Sequence, residues 1–135
     1  MKLIPYLSYA GNCAEAFRFY AQATNGKIDM IMTYGEAPAG FPVPPGMKDK
    51  VMHASMTIGG SPLMASDGPL TTTPTGFAVS INLDKPEQAD RLYAALSEGG
   101  TIQLPITETF WAKRFAMFTD KFNIHWMINC EKPSE

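Results

Sequence analysis

Positive charge is scarce and scattered in this chain: 11 Lys and Arg face 13 Asp and Glu, for a formal net charge of -2. No basic run is longer than the pair Lys113-Arg114. Nucleic acids and anionic membrane surfaces both call for a basic stripe, so neither is an expected partner. Long apolar runs are missing too, and none approaches the roughly 18 residues that suggest a membrane span. Cysteine is limited to Cys13 and Cys130, too few for a disulfide framework. Met1-Lys2 leads into strand-like sequence rather than an apolar leader, which predicts a cytoplasmic protein with two reduced thiols. The chain has no G-x-G-x-x-G, P-loop, C-x-x-C or serine elbow, and no cofactor is expected.

What remains is ordinary globular composition, with 45% hydrophobic and 18% charged residues in 135 positions. That length predicts one domain, 1–135, with a core of its own. Within it one pattern occurs twice. LIPYLSYAGNCAEAFRFYAQATNGKI and GFAVSINLDKPEQADRLYAALSEGGTI each run from an apolar strand through an amphipathic helix to a Gly stop and a new strand. The helices share A-x-R-x-Y-A, from Ala16 to Ala21 and from Ala89 to Ala94.

Helix one is expected to start at a capping box, Asn12 with Glu15, and to end at Asn25-Gly26. Helix two is expected to use Asp84 and Glu87 in the same way, with Pro86 in its first turn and Gly99-Gly100 as its stop. The stripes Cys13, Phe17, Tyr20, Ala21 and Ala89, Leu92, Tyr93, Leu96 have helical spacing and read as core. Cys13 in a first helical turn has a position that can lower a thiol pKa, but a small buried side chain is the favoured reading.

The strands include two hairpins, one turning at Gly59-Gly60 and one near Lys121 to Asn123. Each repeat is therefore βαβββ, at about 1–67 and 76–131. Several strands are apolar or neutral on both faces, which predicts a second face that lines a cavity or an interface. Two Pro/Gly-rich segments, 35–50 and 67–76, each read as a lid, an interface arm or a disordered tip.

Two βαβββ units, with GNCAEAFRFY, VMHASMTIGGSPLMASD, ADRLYAALSEGG and TFWAKRFAMFTDKFNIHWMINCE, resemble the PhnB-like branch of the vicinal oxygen chelate superfamily. Ala112, Ala116 and Asn123 stand where that branch tends to have Gly. The resemblance implies an α+β fold in which two half-barrel sheets face each other around a cavity. It also implies metal ligands on the first and last strands of each half. Those positions fall here at Pro5, Met64, the stretch 77–79 and Met127. None supplies an imidazole or carboxylate for a divalent metal, so no superfamily metal site is expected. Met64 and Met127 are expected to face one another in the cavity as adaptable pocket liners.

His53 is the candidate catalytic residue or hydrogen-bond partner, on a strand face with Val51, Ser55 and Thr57. His125 is a weaker candidate, expected to be exposed. Phe77, Trp111 and Arg114 join Met64 and Met127 as candidate ligand-binding residues for a planar or anionic group. Asp67 is expected to be a turn-former.

The leading functional expectation is a metal-independent protein, enzyme or binder, with a pocket for a small apolar or aromatic molecule. A metal-dependent lyase or dioxygenase with relocated ligands, His53 with Asp67 or Glu108, is the first alternative. A dimeric assembly module without a ligand is the second. A homodimer is expected, because open half-sheets leave edges that need cover.

Overall fold

The computed structural model describes residues 1–68 and 75–133, so most of the segment 67–76 lies outside the described residues. The element order is β1 (Tyr6–Tyr9), α1 (Cys13–Thr24), β2 (Lys27–Thr33), β3 (Val51–Ile58), β4 (Ser61–Asp67), β5 (Val79–Asn82), α2 (Pro86–Leu96), β6 (Thr101–Thr107), β7 (Ala112–Thr119) and β8 (His125–Glu131). Both halves are βαβββ, as the repeat predicts. The first sheet has the order β1-β4-β3-β2 and the second β5-β8-β7-β6, the same topology twice. The class is α+β. The chain divides into two compact units, 1–72 and 73–135.

In the first unit, β1 runs parallel to β4 with Tyr6 opposite Met64 and Tyr9 opposite Asp67. The hairpin between β3 and β4 turns at Gly59 and Gly60, whose φ angles of 55° and 82° are the left-handed values a two-residue turn needs. α1 packs on β2, β3 and β4. It buries Cys13, Ala16, Phe17 and Tyr20 against Leu7, Ala54, Met56, Leu63 and Ala65. The expected stripe thus holds, with Ala16 added and Ala21 only half-buried.

β4 alternates strictly, with Leu63, Ala65 and Asp67 buried between half-buried neighbours. β3 does not. A bulge passes over Met52, so Met32 pairs with His53 while the next residue, Thr33, pairs with Val51. Val51 is consequently buried like Ala54 and Met56, and it does not share the face of His53 as simple alternation predicts.

The expected box at Asn12 is not made: its side chain caps nothing. The donors at the start of α1 go to Asp67 instead. Oδ1 accepts the N–H groups of Gly11 and Cys13, each at 3.0 Å, and Oδ2 accepts that of Val51 at 2.9 Å. Asp67 is a buried carboxylate, not a turn-former. The C-terminal expectation does hold, since Asn25 adopts the left-handed conformation at φ 58°.

In the second unit, β5 runs parallel to β8 with Ser80 opposite Met127. α2 packs on β7 and β8 and buries Ala89, Leu92 and Leu96. Its N-cap is Lys85, one residue later than expected, and neither Asp84 nor Lys85 caps it through a side chain; Pro86 occupies the first position. Tyr93 meets Phe118 edge-on at 6.0 Å. The β7–β8 hairpin turns through Asn123 at φ 72°, as expected. A second buried carboxylate organises it. Asp120 Oδ1 accepts the N–H groups of Phe122 and Ile124, and Oδ2 accepts Trp126 Nε1–H at 2.8 Å.

The loop 35–50 is tied at its base, where Tyr34 N–H donates to Lys50 O and Gly35 N–H to Lys48 O. Phe41 and Val43 are exposed near its middle. No described helix is long and apolar enough to cross a membrane.

Candidate ligand site

Each sheet has one face under its own helix and one face turned away from it. On the second sheet the face away from α2 carries a cavity of about 450 Å³. Phe77, Met117 and Met127 line it, together with His125 and Gln103. The lining follows from strand register: Met117 pairs with Met127, and Thr119 with His125, so alternate residues of β7 and β8 share the face. Phe77, just before β5, is about half exposed. Gln103 Nε2 donates to Thr119 Oγ1 at 3.1 Å, and Thr119 Oγ1 lies 2.8 Å from His125 Nδ1. His125 is therefore half-buried and hydrogen-bonded, not a loose surface residue.

The structure brings Phe77 and Met127 together in this cavity, and it adds Met117, Gln103 and His125. Their signal was in the hairpin register, which places Met117 beside Met127.

Trp111 does not line this cavity, although its partners Phe115 and Asn129 stand on the same sheet face as Met117 and Met127. Its Nε1–H donates to Asn129 Oδ1 at 3.1 Å, and Asn129 in turn donates to Asn82 Oδ1. Its ring meets Phe110 and Phe115 edge-on at 4.8 and 5.1 Å. Arg114 is opposite the buried Cys130 and its Nε lies 3.0 Å from Asp90 Oδ1 on α2. The contact is an ion pair rather than a well-aligned hydrogen bond. It turns the guanidinium toward the helix, away from the face of Met117 and Met127.

On the first sheet the face away from α1 carries Tyr6, His53, Ser55 and Met64. Tyr6, Met64 and Ser55 are in register across β1, β4 and β3. Tyr6, rather than Pro5, therefore shares a face with Met64. Tyr6 Oη lies 3.0 Å from His53 Nδ1, and the two rings stack with centroids 5.7 Å apart. Sequence reading singled out His53 and missed this partner.

The other candidate groups are committed. Both Asp67 oxygens serve backbone donors. Glu108 pairs with Lys132 at 2.9 Å, a hydrogen bond and charge that hold its carboxyl below the usual range. Cys13 is buried, and desolvation with the Asp67 charge pushes its thiol up to about 12, so the reactive-nucleophile reading fails. Among the described residues no three His, Cys, Asp or Glu side chains gather as a metal-binding group.

The family model described as 3-demethylubiquinone-9 3-methyltransferase matches residues 1–129. Protein YjdN of Escherichia coli K12 is 34% identical over 142 residues, covering 98% of this chain and 97% of YjdN. The crystal structure of PA1353 from Pseudomonas aeruginosa is 41% identical with a TM-score of 0.89, over 98% of this chain and 99% of that one. The PhnB protein of Bacillus cereus shares the fold at a TM-score of 0.79 and 23% identity, over 96% and 99% of the two chains. The fold extends to the fosfomycin resistance protein FosX of Mesorhizobium loti, at a TM-score of 0.68 and 10% identity over 98% and 92%. With matching topology in both halves and a family model spanning nearly its whole length, the chain belongs to the 3-demethylubiquinone-9 3-methyltransferase family, the PhnB-like branch of the vicinal oxygen chelate superfamily.

Proposed function

We propose that this protein binds a small apolar or aromatic molecule without the metal of its superfamily. The observation that carries the reading is the cavity lined by Phe77, Met117 and Met127. Its volume of about 450 Å³ falls in the range of small-molecule sites. Its walls include thioethers and an aromatic ring, and thioethers adapt to varied apolar shapes.

The positions that carry metal ligands in the superfamily do not fit such an ion here. Met64 and Met127 offer thioether sulfur, and the residue beside Met64, Tyr6, already engages His53. The alternative with relocated ligands loses support because Asp67 and Glu108 have their own partners. The methyl transfer named in the family description is not carried over. A nucleotide-type cofactor would use free backbone donors at a strand-to-helix turn, and those of Gly11 and Cys13 are taken by Asp67.

Methionine methyl groups give a direct test. With methyl-labelled methionine, titration with 2-naphthol should shift Met117 and Met127 saturably, with and without a chelator. Met127→Trp should fill the cavity and lower affinity at least about tenfold, a loss of ~1.4 kcal/mol. Binding that disappears with the chelator, or shifts confined to other methionines, would overturn the proposal.

The homodimer belongs to the same proposal. Phe41 and Val43 on the tied loop, and Phe110 at 88% exposure, are apolar groups that a partner subunit would cover. Light scattering at micromolar concentration should give twice the chain mass, and the monomer mass would defeat the idea.

A further inference from the structure

Tyr6 and His53 form a pair that the fold builds across three strands. Tyr6 stands on β1 and His53 on β3, with β4 between them. The phenol therefore reaches over the central strand to bring Oη within 3.0 Å of Nδ1. The rings lie 28° from parallel, which fixes the imidazole plane as well as its edge. Tyr6 is 50% exposed and His53 half-buried, so the pair is open to a ligand.

A neutral imidazole has one N–H and one acceptor nitrogen, and its partner decides which is which. A phenol is a good donor and a poor acceptor, because its oxygen lone pair is delocalised into the ring. We infer that Tyr6 donates to His53 Nδ1 and thereby keeps the proton of the neutral ring on Nε2. Tyr6 is thus a positioning residue, and His53 presents an N–H donor rather than a basic nitrogen. The ligand that suits this face is an apolar body bearing an acceptor oxygen, such as a carboxylate, phenolate or carbonyl. Met64, in register with Tyr6, and Met32, in register with His53, supply apolar surface on either side. The ligand class rests on the proposed small-molecule function; the tautomer does not.

Long-range proton–nitrogen NMR of uniformly labelled protein at about pH 8, above the ordinary imidazole range, reads the tautomer directly. The wild type should show His53 protonated on Nε2 alone. Tyr6→Phe keeps the ring and removes the hydroxyl, and it should show both tautomers. A proton on Nδ1 in the wild type, or an unchanged tautomer in Tyr6→Phe, would overturn the assignment. A purely structural Tyr6 would leave the nitrogen signals unmoved.

Two probes then test the ligand class. 2-Naphthoate should shift Nε2–H and bind about twofold more weakly in Tyr6→Phe, where only part of the imidazole population offers that donor. 2-Naphthylmethylammonium, which can only donate, should leave Nε2–H in place. A response to the ammonium alone would overturn the inferred polarity. No response to either probe, with the tautomer as expected, would overturn the small-molecule reading of this face and leave the role of Tyr6 standing.

Discussion

The carboxylate of Asp67 accepts the backbone N–H of Cys13 at 3.0 Å, so the end of β4 caps the start of α1. The same carboxylate takes Gly11 and Val51, which joins the β1–α1 turn, the helix and the first residue of β3. Asp67→Asn keeps the shape but sets an amide N–H against one of these donors. It should cost about 2–4 kcal/mol, because hydrogen bonds to charged groups are the stronger kind and a buried donor is left unmet. Urea unfolding monitored by circular dichroism would measure the loss. A change below about 0.5 kcal/mol would show that the network contributes little.

Cys13 gives a pH prediction. Its thiol ionises near 9.0 in ordinary surroundings and is pushed up to about 12 in the folded chain by burial and the Asp67 charge. Above 9.0 the unfolded chain releases a proton that the folded chain keeps, so the unfolded state binds fewer protons and stability falls as pH rises. The slope from this one group is at most about 1.4 kcal/mol per pH unit. Cys13→Ala should flatten the alkaline decline between about pH 9 and 11, relative to wild type. The native thiol should also resist a disulfide reagent at neutral pH and react only on denaturation.

Gly100 stands just before β6 at a place where a side chain has no room, since a β-carbon would overlap the carbonyl oxygen of Thr119 on the neighbouring strand. Gly100→Ala should therefore destabilise by about 1–3 kcal/mol, the usual range for forced overpacking. Gly40→Ala meets nothing within 4 Å, although its φ of 91° adds strain. Thermal melts of the two variants should thus rank Gly100→Ala as the more damaging.

Asp120 holds the second hairpin through two backbone donors and the indole of Trp126. Asp120→Ala leaves a buried indole N–H without that acceptor and should cost about 3 kcal/mol. Trp126 fluorescence in the native state should change with it, while the far-ultraviolet signal of α2 persists.

Much of the fold was legible because it rests on period and punctuation. The A-x-R-x-Y-A stripes, the Gly59-Gly60 turn and the left-handed Asn25 each express a local rule, and the folded chain obeys them. What failed was long-range. Asn12 has the right chemistry for a cap, yet a carboxylate from the end of the unit takes the donors first. The bulge at Met52 reverses the side of Val51, and no local pattern announces a bulge. The candidate site was legible by residue type more than by company. Phe77 and Met127 meet in one cavity because β7 and β8 pair in register, and His53 was visible as a lone histidine. Its phenol partner comes from a strand nearly the whole repeat away, and Arg114 proved to belong to an ion pair with α2.

The parallel pairing of β1 with β4, and of β5 with β8, has a kinetic meaning. In each half the first strand finds its place only beside the last. The hairpins β3–β4 and β7–β8 need only short loops to close, whereas the outer strand must wait for almost a full repeat of chain and for the greater loop-closure entropy that goes with it. Each half should therefore assemble from its hairpin outward, with β1 and β5 docking late. Tyr6, carried on β1, reaches His53 only when that last strand arrives, so the pair would form at the end of folding rather than at its start.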